Sequence, residues 1–303
     1  KSYYILHIFN LRSLISQYSY LKSHIYIPMR TAALISTDEA LKLINEEHAL
    51  VLDATIDKVN HKIDNTNLEL LPNSLFLDIE GSFSDHHSPY PHTMLSAQQF
   101  SKEAQKLGIN QDSTLIIYDR WGVYSSPRAW WMFRYMGLDK VYVLNGGLPA
   151  WKAAGLPIDK QFAEAASLGN FKAKPNYEWF ITKEELVERL GDDDISITDA
   201  RSSGRFHGTA PEPRPGLRSG HIPGSKNLPF DQVLDGIQYQ DKEELERLFE
   251  GKIDSAKQNI FTCGSGVSAA IIALAAYELG NDYVTIFDGS WSEWGADENT
   301  LVS

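Results

Sequence analysis

One cysteine, Cys263, begins the segment Cys263-Gly-Ser-Gly-Val-Ser268 and is the only thiol in the 303 residues. The apolar run Asn259–Thr262 before it predicts a buried strand, and the apolar segment Ala269–Leu279 after it predicts a helix. Backbone N–H groups of a glycine-containing loop at a helix N-terminus converge on one centre and favour an anion there. We therefore expect Cys263 to act as a thiolate nucleophile.

The rest of this loop is expected to surround the sulfur and to contact the substrate. The glycines allow tight backbone torsions, and the serines carry hydroxyl donors. The loop residues concerned are Gly264, Ser265, Gly266, Val267 and Ser268. Cysteine phosphatases hold phosphate in a similar but longer loop that an arginine closes, and Ala269 occupies the position of that arginine here. The loop therefore favours sulfur chemistry over phosphate hydrolysis.

The elements around Cys263 occur twice along the chain. Asp119 and Cys263 each follow a short apolar strand and precede a helix, and they stand 144 positions apart. Trp151 and Trp294, which follow the last strand of each copy, stand 143 positions apart. Strands that alternate with helices predict α/β units with mainly parallel sheets flanked by helices. Because only the second copy has a thiol, we expect only that copy to be catalytic.

Length and local composition predict the domain limits. A chain of 303 residues favours two domains. We expect a non-catalytic domain over 31–155, a linker over 156–176 and a catalytic domain over 177–303. Residues 1–30 contain basic residues and serines but no Asp or Glu. They are expected to be a poorly ordered upstream extension or a transit peptide, which implies a cytoplasmic or a mitochondrial location respectively.

Composition excludes several classes of function. The formal net charge of −12 argues against nucleic acid as a partner. A single cysteine excludes an internal disulfide and a thiolate-rich zinc site, and no apolar run is long enough to span a membrane. We expect no metal and no cofactor. A small anionic substrate is compatible with the charge if arginines converge on one pocket.

Further motifs surround the cysteine loop in a characteristic order. They are Ser84-Asp-His-His-Ser-Pro-Tyr-Pro-His92, Ser126-Pro-Arg-Ala-Trp-Trp131, Gly204-Arg-Phe206, Glu212-Pro-Arg-Pro-Gly216, Gly220-His-Ile-Pro-Gly224 and Asp288-Gly-Ser-Trp-Ser-Glu-Trp294. Over about residues 34–296 the chain resembles the tandem-rhodanese sulfurtransferases, most closely the 3-mercaptopyruvate sulfurtransferases. The resemblance implies two rhodanese-like domains with substrate bound between them. It also implies a ping-pong reaction through a persulfide on Cys263.

The charge of the loop bears on the sulfur donor. Thiosulfate-type rhodaneses carry basic residues in this loop, whereas the loop after Cys263 has none. By the resemblance, Arg205 and Arg214 bind the carboxylate of a donor such as 3-mercaptopyruvate, which suits the guanidinium fork. The alternative for Arg205 is a surface ion pair. Arg201 directly follows a strand, and we expect it to form a structural salt bridge.

The resemblance also implies a Ser/His/acid relay that handles the thiol proton. Ser265 and His92 match its first two members, with a turn histidine as the alternative for His92. The acid is either Glu80 or Asp85, because an inserted residue near Gly81–Phe83 leaves the alignment open. Four tryptophans are expected in the core and at the domain interface: Trp130, Trp131, Trp291 and Trp294.

Two alternatives to a 3-mercaptopyruvate sulfurtransferase remain open from the sequence. One is a thiosulfate:cyanide sulfurtransferase, and the other is a persulfide carrier or regulatory module. In each case the chain offers no second cysteine to resolve a persulfide. The sulfur acceptor is therefore expected to be external, such as thioredoxin, glutathione or cyanide.

Overall fold

The structure is a computed structural model that describes residues 32–59, 61–282 and 284–303. The expectations for residues 1–30, and for Tyr283 at the start of the last predicted strand, lie outside the described residues. Ala33–Ser303 forms one compact unit. No helix of the described part is long and apolar enough to cross a lipid bilayer.

The first half of the described chain builds one parallel sheet. Its strands are β1 (Leu34–Ile35), β2 (Leu50–Asp53), β3 (Leu75–Phe76), β4 (Leu115–Tyr118) and β5 (Val141–Leu144). Their order across the sheet is β1-β5-β4-β2-β3, and every neighbouring pair is parallel. The flanking helices are α1 (Thr37–Glu47), α2 (Ala97–Lys106), α3 (Ser126–Tyr135) and α4 (Gly147–Ala153).

The second half repeats this arrangement. Its strands are β6 (Phe180–Ile181), β7 (Ile195–Asp199), β8 (Lys226–Asn227), β9 (Leu234–Asp235), β10 (Gln238–Tyr239), β11 (Gln258–Thr262) and β12 (Val284–Phe287). The parallel sheet has the order β6-β12-β11-β7-β8, while β9 and β10 form a separate antiparallel pair. Its helices are α5 (Lys183–Glu188), α6 (Ser203–Phe206), α7 (Lys242–Phe249), α8 (Val267–Glu278) and α9 (Ser290–Trp294), with 3-10 turns at Tyr177–Trp179 and Phe230–Val233.

The two sheets have the same topology, which confirms the α/β class and the internal repeat. In register, Asp53 pairs with Tyr118 in the first sheet, and Asp199 pairs with Thr262 in the second. Every residue of β4 is buried, as expected for a central strand with helices on both faces of its sheet. The last residue of each central strand is followed directly by Asp119 or by Cys263.

Side-chain caps fix where several helices begin. The predicted caps Thr182 and Asp241 accept the backbone N–H groups of Glu185 and Glu244, which satisfies donors that the helix itself leaves free. Ser36 caps α1 in the same way. The helix after Cys263 begins at Val267, two residues before the predicted start. The serine that precedes the apolar run therefore belongs to the first turn of α8.

Helices α3 and α8 bring the two halves together. Nearly all of α8 is buried, because it lies between its own sheet and the first half of the chain. The rings of Trp130 and Tyr277 meet there with centroids 5.2 Å apart. All four tryptophans predicted to pack in the core or interface are at most 1 % exposed: Trp130, Trp131, Trp291 and Trp294.

The segment predicted as a linker lies against the first half of the chain. No helix or strand forms between Ala153 and Tyr177, a stretch that is fully described. Phe171 is completely buried, and its ring approaches those of Phe100 and Phe133 at 6.2 and 6.4 Å. Aromatic burial of this kind anchors the connection to the first domain.

In the first domain, the loop that corresponds to the cysteine loop is held by hydrogen bonds to the carboxylate of Asp119. Its Oδ2 accepts the N–H groups of Tyr124, Ser125 and Ser126 at 2.8, 3.0 and 3.0 Å, together with the hydroxyl of Ser126 at 2.7 Å. Its Oδ1 accepts the N–H of Trp121 at 3.0 Å. Asp119 is fully buried. A fixed carboxylate thus occupies the centre on which the loop donors converge.

We expect Asp119→Ala to destabilise the chain by about 3 kcal/mol or more, because several buried donors lose their acceptor at once. Urea denaturation followed by circular dichroism measures the change. Asp139→Ala is the matched control, since that side chain is 92 % exposed and forms only a surface ion pair with Arg134. A loss no larger than the control's would contradict the structural role of Asp119.

Candidate active site

A cavity of about 350 Å³ lies where the two halves meet, at the carboxyl ends of the central strands. Ligand sites of open α/β sheets occupy this edge. The first half contributes Ile56, Asp57, Lys58, Val59, Glu80, His92 and Tyr124. The second half contributes Arg205, Pro213, Arg214, Phe230, Cys263, Gly264, Ser265, Val267 and Ser268. Of the residues predicted for the site, Asp85 and Gly266 do not line the cavity.

The backbone at Cys263 is held by the segment that follows β12. The N–H of Cys263 donates to Ser290 Oγ at 3.2 Å, and its carbonyl accepts the N–H of Trp291 at 2.9 Å. The carbonyl of Gly264 accepts both the N–H and the hydroxyl of Ser292, at 2.9 and 2.6 Å. These bonds fix the strand end and the first loop residue, so the sulfur has a defined position at the cavity floor.

Gly266 caps the N-terminus of α8 from behind the loop. Its φ of 80° lies in the left-handed region, where glycine is free of strain. A Cβ atom at this position would stand 3.0 Å from the carbonyl oxygen of Asp288 and 3.1 Å from Arg128 Nη1. Gly266 therefore permits the tight turn and the approach of the first domain, without contacting the cavity itself.

Arg128 and Asp288 join the two halves directly behind this loop. Arg128 Nη2 lies 2.5 Å from Asp288 Oδ1 and also donates to the carbonyl of His92 at 2.7 Å. The other carboxylate oxygen of Asp288 accepts the N–H of Met94 at 2.8 Å. Both ends of the segment from His92 to Met94 are thus tied to one interdomain ion pair. Sequence reasoning missed it, because neither residue shows in sequence which side chain it meets.

His92 reaches the cavity from this tied segment. Its φ of 60° is unusual for a residue with a side chain, and the flanking hydrogen bonds hold the backbone in that conformation. Burial, together with the nearby charges of Arg128 and Arg214, lowers the pKa of His92 to about 4. The imidazole is therefore neutral at neutral pH, with one unprotonated ring nitrogen.

The two candidates for the relay acid lie in different places. Glu80 lines the cavity, and partial desolvation together with the charges of Asp57 and Asp78 raises its pKa. Asp85 instead accepts the N–H of His87 at 2.9 Å, within its own turn. Ser265 lines the same cavity as Glu80. The geometry therefore favours Glu80 over Asp85 as the acid nearest the sulfur.

Glu212 organises the arginines of the second domain. It accepts Arg201 Nη1 at 2.8 Å and Arg205 Nη2 at 2.6 Å, and only 3 % of its side chain is exposed. Arg201 also pairs with Asp199 at 2.7 Å and lies over the ring of Trp291, which confirms its predicted structural salt bridge. Arg205 is therefore both ion-paired and part of the cavity wall.

Arg205 and Arg214 differ in how free their charges are. Arg205 also covers the cysteine loop, since a Cβ on Gly264 would stand 3.0 Å from its Nη2. Arg214 lines the cavity, and no hydrogen bond or ion pair engages it within the described residues. Arg214 thus offers the less neutralised guanidinium to an anionic ligand.

Tyr124 is a cavity residue that the sequence reasoning did not identify. Burial, together with the neighbouring Cys263 and Glu80, raises the pKa of its phenol to about 12. The hydroxyl stays protonated at neutral pH and can donate a hydrogen bond. Its position five residues after Asp119, in the counterpart of the cysteine loop, was the available signal. Among the described residues no group of His, Cys, Asp and Glu is arranged to hold a metal ion.

We expect the imidazole of His92 to titrate near pH 4, because burial and two nearby guanidinium groups disfavour its protonated form. Proton NMR of the histidine ring signals measures the midpoint, and His92→Gln identifies the signal by its disappearance. Arg214→Gly should move the midpoint upward, whereas Arg247→Gly, on an exposed face of α7, should leave it in place. A midpoint near 6.5 in the unmodified chain would contradict the described surroundings of His92.

Comparison with known proteins places this arrangement in a family. Residues 36–154 and 182–297 each match the rhodanese-like domain. The chain is 36 % identical over 273 residues to "3-mercaptopyruvate sulfurtransferase" of Escherichia coli (strain K12). The aligned region covers 88 % of this chain and 96 % of that protein. It is 40 % identical over 228 residues to "Thiosulfate sulfurtransferase" of Gallus gallus. This alignment covers 74 % of this chain and 78 % of that protein.

A solved structure agrees with these sequence matches. The Tum1 protein from Saccharomyces cerevisiae superimposes with a TM-score of 0.79 at 34 % identity, over 88 % of this chain and 95 % of that one. The two regions that match the rhodanese-like domain contain all but the first strand of each parallel sheet, and the second region contains the loop at Cys263. The chain therefore belongs to the rhodanese family of sulfurtransferases and carries two rhodanese-like domains in tandem.

Proposed function

We propose that this chain takes sulfur from 3-mercaptopyruvate, releases pyruvate and carries the sulfur on Cys263 as a persulfide. One observation carries the proposal. A cysteine in an uncharged loop shares its cavity with Arg214, a guanidinium that has no carboxylate partner within the described residues. The cavity thus provides a nucleophile and a separate cation for the donor carboxylate. The similarity to the 3-mercaptopyruvate sulfurtransferase of Escherichia coli supports the same donor.

The first half-reaction forms one bond and breaks one. The Cys263 thiolate attacks the sulfur of 3-mercaptopyruvate, and a new S–S bond forms. The C–S bond of the donor breaks, and its electron pair moves onto the carbon next to the ketone. That carbon then takes a proton and leaves as pyruvate. The phenol of Tyr124, which is protonated, lies in the same cavity as a hydrogen-bond donor for the ketone oxygen.

His92 and Ser265 are proposed to handle the thiol proton. His92 is neutral at neutral pH, so it has an unprotonated ring nitrogen that can accept a hydrogen bond from the thiol. Ser265 lines the cavity beside Cys263, although the described structure shows no hydrogen bond between its hydroxyl and His92. Glu80, whose pKa is raised, is the proposed acid of this relay. We expect substrate to complete the contacts among these groups.

A thiosulfate:cyanide sulfurtransferase is the second candidate, and the similarity to the thiosulfate sulfurtransferase of Gallus gallus favours it. Thiosulfate is a dianion and is best stabilised by cations beside the sulfur. The loop from Gly264 to Ser268 contains no charged residue, and the nearest guanidinium, Arg205, is shared with Glu212. The arrangement therefore favours a donor whose carboxylate lies away from the reacting sulfur.

The second half-reaction requires an acceptor from outside the chain. Cys263 is the only cysteine, so no internal thiol can resolve the persulfide. An acceptor thiolate or cyanide attacks the outer sulfur, and the Cys263 thiolate leaves. Thioredoxin, glutathione and cyanide are the acceptors that we propose. The chain supplies no cofactor of its own to this exchange.

Intact mass spectrometry after incubation with each donor tests this function. We expect the chain to gain one sulfur atom, faster with 3-mercaptopyruvate than with thiosulfate, and to lose it when a thiol is added. Cys263→Ser should gain none. A preference for thiosulfate would overturn the donor assignment, while sulfur transfer retained in Cys263→Ser would overturn the whole mechanism.

We expect Arg214→Gly to lower kcat/KM for 3-mercaptopyruvate by about 1.5–3 kcal/mol, the range for a charge-assisted hydrogen bond. Arg205→Gly should lower it as well, and it should also disturb the loop, because Arg205 covers Gly264. Steady-state kinetics measure both changes, with Arg247→Gly as the exposed control. Unchanged kinetics in both cavity variants would remove these arginines from the substrate site.

A further inference from the structure

Lys58 lines the cavity from the first domain. Its Nζ lies 4.8 Å from the ring centroid of Trp121 and 5.0 Å from that of Tyr124. No carboxylate of the described residues is within ion-pair distance of it. The charge that acts on it most directly is Asp119, whose carboxylate is already engaged by its own loop. Within the described part of the chain, Lys58 is therefore a half-buried cation with aromatic neighbours and no anion within ion-pair distance.

The backbone around Lys58 is well fixed. Lys58 and His61 exchange two backbone hydrogen bonds of 2.9 and 3.0 Å. Before Lys58 in the chain, Asp57 Oδ1 accepts the N–H of Ile63 at 2.9 Å, and the carbonyl of Ile56 accepts Trp121 Nε1 at 2.8 Å. These bonds hold the backbone on which Lys58 stands, and the rings of Trp121 and Tyr124 lie next to its ammonium group.

Lys58 provides the positive charge among the residues that the first domain contributes to the cavity wall. The other ionised groups of that wall are the carboxylates of Asp57 and Glu80, while His92 is neutral at neutral pH. Without Lys58 this wall would present only negative charge and would repel an anion. With it, the wall has one cation held over aromatic rings, where it is less hydrated than in bulk water.

We propose that Lys58 is a specificity-determining residue that binds the carboxylate of a small thiol acceptor during the second half-reaction. The inference rests on the proposed function, in which Arg214 of the second domain binds the carboxylate of the donor. Lys58 is a second cation of the same cavity, contributed by the first domain, and no carboxylate of the described residues is within ion-pair distance of it. A carboxylate-bearing thiol bound to Lys58 shares the cavity with the persulfide.

The step that Lys58 assists balances without a further reagent. The acceptor thiolate attacks the outer sulfur of the Cys263 persulfide, and a new S–S bond forms on the acceptor. The bond between Cys263 Sγ and the outer sulfur breaks, and Cys263 leaves as a thiolate. The acceptor departs as its own persulfide. Lys58 forms no covalent bond and contributes only to the binding of the attacking anion.

The test separates the two half-reactions. Persulfide-loaded chain is mixed with 3-mercaptopropionate or 2-mercaptoethanol, which differ in a carboxylate against a hydroxyl, and loss of the sulfur is followed by intact mass. We expect Lys58→Met to slow transfer to 3-mercaptopropionate by about five- to tenfold and to leave 2-mercaptoethanol unchanged. Lys58→Arg should restore most of the rate. Lys62→Met, an exposed lysine of the same segment, is the matched control.

Each outcome decides the inference. Equal slowing with both thiols, or no slowing with either, overturns it. Slower loading by 3-mercaptopyruvate with unchanged unloading assigns Lys58 to the donor and overturns the acceptor role. If the unmodified chain forms no persulfide, the proposed function fails and this inference falls with it. If persulfide forms normally and only the Lys58 effect is missing, the proposed function stands.

Discussion

The guanidinium of Arg128 and the carboxylate of Asp288 meet between the two domains, with only 1 % and 4 % of their side chains exposed. Neither charge is tolerable at this depth without the other, because an unpaired buried ion loses its hydration with nothing to replace it. If the domains slid past each other, the two charges would separate, and each would be left buried without its partner. The ion pair therefore fixes the relative position of the two walls of the cavity, and the remaining geometry follows from that position.

Asp288 also belongs to the segment that holds the cysteine. The residues that follow it bind the backbone of Cys263 and Gly264, while Asp288 itself binds the N–H of Met94 in the first domain. Cys263, the proposed nucleophile, and His92, the proposed base, are thus positioned by neighbouring parts of one hydrogen-bonded connection. Arg128 adds an electrostatic effect, because its charge helps to keep the pKa of His92 low. Arg128 therefore both holds the backbone of His92 in place and helps to keep its side chain unprotonated.

The sequence alone predicts the parts of this protein that depend on local order. The apolar strands, the repeat that pairs Asp119 with Cys263, and the loop that opens α8 are all contiguous patterns. Arg201 could be assigned correctly, because it lies two residues from the Asp199 that it pairs with. The cysteine loop and most of the candidate residues that line the cavity with it were identified in this way.

Much of what sequence reasoning missed depends on contacts between residues that are far apart in the sequence. Arg128 and Tyr124 meet Asp288 and Phe230 only when the two halves come together. Lys58 meets Trp121 and Tyr124 of its own domain, more than 60 positions further along the chain. The choice between Glu80 and Asp85 had a different cause. An inserted residue shifts the register of that turn, and only the folded turn shows which carboxylate faces the cavity.

The carboxylate of Asp119 has a consequence for the chemistry of the whole chain. Both domains have a site shaped to hold negative charge at the end of a central strand, and Leu148 N–H binds the Asp119 carbonyl as Trp291 N–H binds that of Cys263. In one domain the occupant is a sulfur that electrophiles and oxidants can modify. In the other it is a carboxylate that is inert to thiol reagents and already saturated with hydrogen bonds. The duplication therefore leaves the chain with a single thiol, at Cys263, and under the proposed mechanism its oxidation or alkylation would stop sulfur transfer while the carboxylate of Asp119 stayed unmodified.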